Sequence, residues 1–364
     1  MTNRRPAGWR AETGAPVLVL SALVLAFAST LTACGAADDG TLDSAAIAVG
    51  DDDDSDTTTT VSVAEPETER GTDPGGAADP DTTTDGPGDG GGVGAADGPP
   101  GLADPLPASA PELRAALLRA ETAIRSDGVG DDEAAGWGRR QQRMYRHLAD
   151  HPEWLDEVLA IDDPDLRLAV ELNWTARVSL DALVASHGSE TELPAWRVVA
   201  PRPIAELLGY YRDGEAQWGI EWSYLAAINL IETRMGRIEG ISSAGAVGPM
   251  QFLPTTWAEC CDGDATDPAD AIPGAARYLT IRGGPEDMER AIWGYNNSDD
   301  YVAAVSAYAA VLRSDQRAYR GYHAWQIFFR TTDGLIHLPV GYEESEPVPV
   351  GVWLAENPDA LVAG

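Results

Sequence analysis

Apolar residues recur at helical spacing through most of the chain beyond residue 105. Leu113, Leu117, Ala120 and Ile124 would all lie on one face of a helix. The same spacing predicts further helices over 140–149, 152–161, 165–186, 204–218, a stretch ending near 235, one starting at 254, and 275–281, 285–293 and 299–312. The pattern predicts a mainly α-helical fold, with a helical region at 105–192 and a second helical domain at 201–320.

A different pattern follows in 321–364. Two runs of β-type residues, 324–332 and 335–340, flank the dipeptide Asp333-Gly334. Asp-Gly between two such runs is typical of a two-residue hairpin turn. We therefore predict a short C-terminal β-hairpin, followed by a tail rich in proline and acidic residues to which we assign no function.

The N-terminus has the organisation of an export signal. Arg4, Arg5 and Arg10 precede an apolar run at 17–33, and the run ends in Leu-Thr-Ala-Cys34. This ending resembles a bacterial lipobox, which would make Cys34 the lipidated first residue of the mature protein. A plain signal peptide and a single spanning helix are the alternatives. We predict a signal peptide over 1–33 and a lipid anchor at Cys34, which would hold the protein on the outer face of the cytoplasmic membrane.

Composition separates the next segment, 34–104, from the rest of the chain. Residues 35–100 consist largely of Asp, Thr, Gly, Ala and Pro, with Arg70 as the single basic residue and no aromatic residue. Such a segment cannot bury enough apolar surface to offset its ordering entropy, so we predict a disordered tether. The formal net charge of −34 at pH 7 also argues against general nucleic-acid binding.

Glu232 stands out among the carboxylates of the second helical domain. Leu225, Ile228, Ile231 and Met235 form an apolar stripe beside it, and we expect Gly236 to be the left-handed cap that ends this helix. Apolar neighbours and the negative end of the helix dipole both favour a protonated carboxyl. A protonated carboxyl is what a general acid requires, although Arg234 could oppose this as an ion partner.

The segment after this helix is a loop rich in glycine and alanine. It reads Ser242-Ser-Ala-Gly-Ala-Val-Gly248-Pro-Met250-Gln251-Phe252, and small residues of this kind let the backbone approach a ligand closely. No Asp or Glu lies between Glu239 and Glu259. A glycosidase that needs a second carboxylate would have to recruit it from elsewhere in the chain.

The helix end and the loop together resemble the lytic murein transglycosylases, especially their B-type branch. The resemblance rests on Glu232-Thr-Arg-x-Gly-Arg followed by Ser-x-Ala-Gly-Ala-x-Gly-x-Met-Gln-Phe-x-Pro, and it covers about 201–312. A later Gly294-Tyr295-Asn296 is similar to the family's Ala-Tyr-Asn element, with glycine in place of alanine. The flanking regions resemble actinobacterial transglycosylase lipoproteins more weakly.

The resemblance implies a lysozyme-like catalytic domain in which Glu232 is the single acid and base. It would cleave peptidoglycan between N-acetylmuramic acid and N-acetylglucosamine and leave a 1,6-anhydro end, without metal or organic cofactor. The residues expected to bind the glycan are Ser242, Gly248, Met250, Gln251, Phe252, Tyr295 and Asn296. Two rival interpretations are hydrolysis of lysozyme type and a non-catalytic glycan-binding lipoprotein.

Three other groups of residues invite a chemical interpretation. Cys260 and Cys261 either form a vicinal disulfide or stay as two small buried side chains. His147 and His151 have the spacing of helical metal ligands, but no third ligand accompanies them, so surface or core histidines are the better interpretation. The acidic stretch 262–270 lacks the glycine and terminal glutamate of an EF-hand, which favours loop and capping roles over calcium.

Overall fold

The computed structural model describes residues 98–102, 104–185 and 189–362, and this part of the chain is mainly α-helical, as predicted. The predicted signal peptide, Cys34 and nearly all of the predicted tether lie outside the described residues. Among the described helices, none is long and apolar enough to cross a membrane.

The described chain is mostly helical up to residue 324, with short two-residue strands between some of the helices. The helices are α1 (Ala110–Arg125), α2 (Asp131–Asp150), α3 (Leu155–Val158), α4 (Pro164–Ala185), α5 (Ile204–Trp218), α6 (Trp222–Thr233), α7 (Pro254–Cys260), α8 (Pro268–Arg282), α9 (Met288–Tyr295), α10 (Asp299–Ser314), α11 (Tyr319–His323) and α12 (Val350–Glu356). The strands are β1 (Glu192–Leu193), β2 (Arg197–Val198), β3 (Ile238–Glu239), β4 (Ile327–Thr331), β5 (Gly334–Leu338), β6 (Val348–Pro349) and β7 (Leu361–Val362). Single 3₁₀ turns lie at Pro152–Trp154, Gln316–Ala318 and Pro358–Ala360.

Helix α10 lies at the centre of the helical part. It packs most extensively against α4, and also against α6 and α9. Its inward residues, including Val305, Tyr308 and Leu312, are buried in one hydrophobic core that runs from α1 to the residues just after α11. The two helical regions expected from the sequence therefore share a core, while their domain boundaries stay a prediction.

Side-chain amides of α2 bind the residues just after α11. Gln142 donates from Nε2 to the carbonyl of Gln326 at 2.9 Å, and the Gln326 amide donates to Gln142 Oε1 at 2.8 Å. The indole of Trp325 donates to Gln141 Oε1 at 3.1 Å. These buried amides fix α2 against the start of the C-terminal strands.

The predicted β-hairpin is confirmed. Strands β4 and β5 pair antiparallel, and Thr331 lies opposite Gly334 at the turn. The tail adds more structure than the sequence indicated, because β7 pairs with β5 and α12 precedes it. A second hydrophobic cluster, which includes Trp196, Phe329 and Trp353, lies beneath these elements.

Two short strand pairs brace the connector between the helical regions. β1 pairs with β6, and β2 pairs with β3, so that Val198 lies opposite Ile238. β3 follows the end of α6 directly. The chain entering α5 is therefore fastened to the chain that leaves α6, close to Glu232.

The structure gives the state of the two neighbouring cysteines and the contacts of the two histidines in α2. Cys260 and Cys261 form a vicinal disulfide. His147 contacts the carbonyl of Pro107 through Nε2, and His151 contacts the carbonyl of His147 through Nδ1. No cluster of three or more potential metal-ligating side chains occurs among the described residues.

The acidic loop before α8 has the loop and capping roles that we expected. The Asp267 side chain caps α8 by accepting from the amide of Ala269 at 2.9 Å. Asp270 accepts from the amide of Asp264 at 2.8 Å, and Asp264 accepts from both the amide and the hydroxyl of Thr266. α8 begins at Pro268, earlier than the apolar spacing predicted, because this cap starts the helix.

Candidate active site

The helix that carries Glu232 ends earlier than the sequence predicted. α6 stops at Thr233, and Arg234, Met235 and Gly236 all have positive φ angles, at 54°, 63° and 77°. The expectation that Gly236 caps the helix is wrong, because Arg234 takes the left-handed cap position and returns its guanidinium to the carbonyl of Leu230 at 2.6 Å. Glu232 therefore lies in the last residues of the helix, immediately before a sharp change of direction.

Glu232 is almost completely buried, with 1% of its surface exposed. The hydroxyl of Tyr301 donates a hydrogen bond to Glu232 Oε1 at 2.6 Å. Sequence reasoning missed Tyr301, which lies in the first turn of α10 and 69 residues beyond Glu232. Its position shortly after Tyr295-Asn296 is the only sequence signal that could have suggested a role.

A second tyrosine connects this pair to the glycine-rich loop. The rings of Tyr295 and Tyr301 lie parallel, with centroids 6.4 Å apart. Tyr295 donates from its hydroxyl to the carbonyl of Met250 at 2.6 Å. Burial raises the pKa of Tyr295 well above its usual value, and the nearby charge of Glu232 acts in the same direction. Tyr295 is therefore a stable hydrogen-bond donor at neutral pH.

The loop itself is a tight reversal of the chain. Val247 and Phe252 exchange two backbone hydrogen bonds, at 2.9 and 3.0 Å. Within the turn, Gly248 has φ of 76°, and a Cβ there would lie 1.8 Å from the carbonyl oxygen of Ala265. Gln251 also has positive φ, at 50°, and both its backbone amide and its Nε2 donate to the carbonyl of Gly248. Only glycine fits at position 248, so the loop is held close to Ala265.

A buried polar network fastens this loop to the Glu232 helix. The carbonyl of Pro249 accepts from Asn229 Nδ2 at 2.9 Å and from the Thr233 hydroxyl at 2.7 Å. Tyr211 donates to Asn229 Oδ1 at 2.7 Å, and all three side chains are buried. Asn229 and Thr233 were also missed, although two polar residues four apart on an apolar helix were a usable signal.

The other predicted glycan-binding residues occupy varied positions. The Ser242 side chain accepts from the amide of Ala246 at 2.9 Å and shapes its own turn. Met250 is fully buried, and Phe252 packs edge-on against Trp257, Tyr278 and Tyr295. Asn296 follows the last residue of α9 and is 8% exposed.

The break that we predicted after α9 starts at Asn296. Tyr295 is the last residue of α9, whereas the sequence suggested that the helix would end before Gly294. The structure joins three of the predicted site residues in one series of contacts. Tyr301 donates to Glu232 and stacks on Tyr295, and Tyr295 donates to the carbonyl of Met250. The structure places Phe252 in an aromatic cluster with Tyr295.

One polar atom in this arrangement has no partner. Gln251 is 2% exposed, and its Nε2 is committed to the carbonyl of Gly248, yet its Oε1 accepts no hydrogen bond from the described residues. A buried acceptor without a donor costs about 1–3 kcal/mol. This atom is therefore suited to a donor brought by a ligand.

A cavity of about 540 Å³ adjoins the helix end and the loop. Met235 and Gly236 form one part of its wall, and Val247, Gly248 and Pro249 form another. Its volume lies in the range of small-molecule sites. The two segments that carry the candidate residues thus border a space large enough for part of a glycan chain.

Arg234 gives this region a buried positive charge. Burial lowers the pKa of Arg234 to about 10, and the charge of Arg177 lowers it as well, while Tyr308 and Glu232 raise it. The guanidinium therefore stays charged at neutral pH, electrostatically coupled to Glu232.

The comparisons with known proteins bear on this same part of the chain. A family model described as the transglycosylase SLT domain matches residues 209–320. No curated protein and no solved structure matches the chain. The match supports a lytic-transglycosylase-type domain of lysozyme-like fold that acts on peptidoglycan, and it contains Glu232, the glycine-rich loop, Tyr295 and Tyr301.

Proposed function

We propose that this protein is a B-type lytic transglycosylase that cleaves the β-1,4 bond between N-acetylmuramic acid and N-acetylglucosamine. The observation that carries the proposal is the placement of Glu232. It lies at the end of a helix, nearly buried, with Tyr301 bonded to one oxygen and the Gly-Pro-Met-Gln loop fastened alongside. The family match covers all of these residues.

Glu232 would supply both proton transfers. As a neutral acid it protonates the bridging oxygen while the bond from that oxygen to C1 of the muramoyl sugar breaks. The sugar's own acetamido oxygen bonds to C1 and takes up the developing positive charge. Glu232, now a carboxylate, then removes the proton of the 6-hydroxyl as O6 bonds to C1 and the acetamido oxygen leaves. The product is a 1,6-anhydro end, and Glu232 is again protonated.

The hydrogen bond from Tyr301 suits this cycle. A hydroxyl can donate to the carboxylate form of Glu232 and stay in place when the other oxygen is protonated. Because Tyr301 is itself buried and stacked on Tyr295, the carboxyl is held in one orientation. Fixed orientation of an acid near its target oxygen is a large part of its catalytic effect.

Gln251 supports recognition of an N-acetyl group. Its free Oε1 is an acceptor, and the acetamido N–H of either sugar is a matching donor. Gly248 brings backbone close to the same space, Tyr295 reaches the loop through the carbonyl of Met250, and Asn296 is the next residue along the chain. Because Glu232 and Gln251 are both nearly buried, a glycan reaches them only when neighbouring side chains move. The cavity beside Met235 and Pro249 is the side from which we expect entry.

The test is the structure of the product. Purified protein incubated with peptidoglycan should release muropeptides with 1,6-anhydromuramoyl ends, which borohydride cannot reduce and mass spectrometry recognises by the missing water. Reducible ends would instead identify a hydrolase of lysozyme type. Glycan binding without cleavage would identify a binding lipoprotein.

We also propose that the protein is a lipoprotein, exported and anchored through Cys34. The support is the sequence Leu31-Thr-Ala-Cys34 after an apolar run, together with the acidic segment that would serve as a spacer. One acyl chain binds a membrane only marginally, so stable anchoring needs the several chains of a lipoprotein. Cys34→Ala should move the protein from the membrane fraction to the soluble fraction, and unchanged fractionation would contradict the anchor.

A further inference from the structure

A second cavity, of about 600 Å³, shares no lining residue with the cavity beside the loop at 242–252. Its walls come from the C-terminal end of α2, the turn of the β4–β5 hairpin, and β7. Arg146 and Arg330 are the basic residues of its lining, and Asp150 and Asp333 are the acidic ones. Neither the proposed glycan chemistry nor the predicted site residues use this cavity.

Two arginines whose charges act on Arg146, Arg177 and Arg330, share one carboxylate. Arg177 on α4 is bonded to Asp181 through both Nε and Nη2. Arg330 approaches the same carboxylate, with 3.6 Å between its Nη2 and Asp181 Oδ1. The Asp181 carboxylate is therefore already paired with Arg177 and Arg330.

Arg146 has no such partner. Within the described residues its guanidinium makes no hydrogen bond or ion pair, and its one specific contact is with the ring of Phe328, 5.9 Å from Cζ. Burial, reinforced by the charge of Arg177, lowers the pKa of Arg146 to about 9. Arg330 and Arg234 lower it further, and Asp181 alone opposes them.

An arginine held in this way is costly unless something compensates its charge. Removing one partner of a buried ion pair is strongly destabilising, because the remaining charge is left uncompensated. Arg146 is in the position of such a remaining charge, although it lines an open cavity. In a chain with a net charge of −34, local positive charge of this kind points to an anionic ligand.

The acidic residues narrow the class of ligand. Asp150 and Asp333 line the same cavity, so a multiply charged anion such as phosphate would be repelled from part of the wall. A ligand with one carboxylate and one ammonium group matches both signs of charge. Planar guanidinium groups bind carboxylates through paired hydrogen bonds, and the volume suits a short peptide.

We propose that this cavity binds a short peptide, with Arg146 and Arg330 holding a free carboxylate and Asp150 or Asp333 holding an amino group. The peptide stems attached to peptidoglycan glycan strands belong to this chemical class. That source rests on the proposed function, since it requires the protein to meet peptidoglycan. The cavity would then select strands that carry stem peptides.

Isothermal titration calorimetry on the full chain tests binding directly. The probe is the tripeptide L-lysyl-D-alanyl-D-alanine, and its C-terminal amide is the matched ligand without a carboxylate. We expect the free acid to bind and the amide to bind at least about 10-fold more weakly, since the amide lacks the charged acceptor for the guanidinium hydrogen bonds. Equal binding of the two ligands, or no binding of either, would overturn the proposal. Binding of inorganic phosphate without the tripeptide would also overturn it.

Arg146→Gln should weaken tripeptide binding by about 10-fold or more. Arg167→Gln, on the exposed face of α4, makes the same change of charge and should leave binding unchanged. If Arg146 were structural, its removal would lower Tm; as a ligand-binding residue held at a cost, its replacement should leave Tm equal or higher. A lower Tm with tripeptide binding retained would contradict the proposal.

Glycan cleavage separates this inference from the proposed function. Arg146→Gln should cleave peptide-free glycan like the wild type and lose rate only on strands with stems. If the wild type cleaves no glycan but still binds the tripeptide through Arg146, the proposed function fails while the peptide site stands.

Discussion

Among the described residues, Glu121 and Glu232 are the two buried glutamates, and they are held in different ways. Glu121 in α1 is 0% exposed; it forms an ion pair with Arg125 one turn later and accepts from Gln141 at 2.8 Å and from the Tyr145 hydroxyl. Glu232 is 1% exposed and accepts a 2.6 Å hydrogen bond from Tyr301 at the end of α6.

The difference shows that burial alone does not mark a reactive carboxyl. Although burial lowers the pKa of Arg125, the charge of Glu121, its hydrogen bond and the nearby tyrosines together outweigh burial, and that pKa is raised. Glu121 is therefore paired with Arg125, the last residue of its own helix. Glu232 lies before three left-handed residues and beside a loop bordering a cavity. Its surroundings connect it to a possible ligand, and those of Glu121 connect it to other helices.

The largest expected effect is on activity at Glu232. Glu232→Gln keeps the volume of the side chain and removes the transferable proton. Loss of a general acid or base typically lowers the rate by about 10² to 10⁴, and here one residue would serve both steps, so we expect the upper end. The measurement is the rate of anhydro-muropeptide release, with the circular dichroism spectrum as control. Activity near that of the wild type would remove Glu232 from the mechanism.

The next effect concerns stability at Glu121. Glu121→Gln removes the nearer ion partner of the buried Arg125 and leaves it Asp315, whose Oδ2 lies 3.8 Å from Arg125 Nε, and we expect a loss of about 3 kcal/mol in the free energy of unfolding. Activity per folded molecule should stay close to the wild type. Urea denaturation at a temperature where both proteins fold measures the first quantity. A variant as stable as the wild type, but inactive, would reverse the roles that we assign to the two glutamates.

We expect the smallest effects from a matched pair of tyrosine variants. Tyr301→Phe and Tyr145→Phe each remove one hydroxyl that donates to a buried glutamate. A hydrogen bond to a charged group contributes roughly 1.5–3 kcal/mol, so Tyr301→Phe should lower kcat about 10- to 100-fold with little change in KM. Tyr145→Phe should lower stability and leave kcat unchanged. Equal effects of the two variants on kcat would mean that Tyr301 acts only through folding.

Much of the fold could be predicted because its signals are local. Helix α5 has the bounds 204–218 that the apolar spacing predicted, and Asp333-Gly334 forms the turn of the hairpin. Glu232 was singled out for the same reason, since an acid beside an apolar helical stripe is visible in the sequence. The loop residues were predicted from a family resemblance, and the match over 209–320 supports a domain of that general kind.

The contacts that organise the candidate site could not be predicted, because they join distant segments. Tyr301 and Glu232 are 69 residues apart, and Tyr295 reaches Met250 across 45 residues. The end of α6 was misplaced because Arg234 occupies a left-handed conformation that residue type alone assigns to Gly236. No element was predicted in the tail, because β7 gains its hydrogen bonds from β5, a strand distant in the sequence.

The hydrogen bonds from the side-chain amides of α2 to the residues after α11 also affect how the chain folds. Gln142 and Gln326 are separated by 184 residues, and α10 must be in place before α4 can cover its buried face. Contacts of such long sequence separation slow folding, because the entropy of closing the intervening loop is lost before the contact forms. A chain that leaves a ribosome or a translocase from its N-terminus would therefore keep its first helices incomplete until nearly all of it had emerged. The matched segment 209–320, expressed without its flanks, would expose the apolar face of α10 and should aggregate.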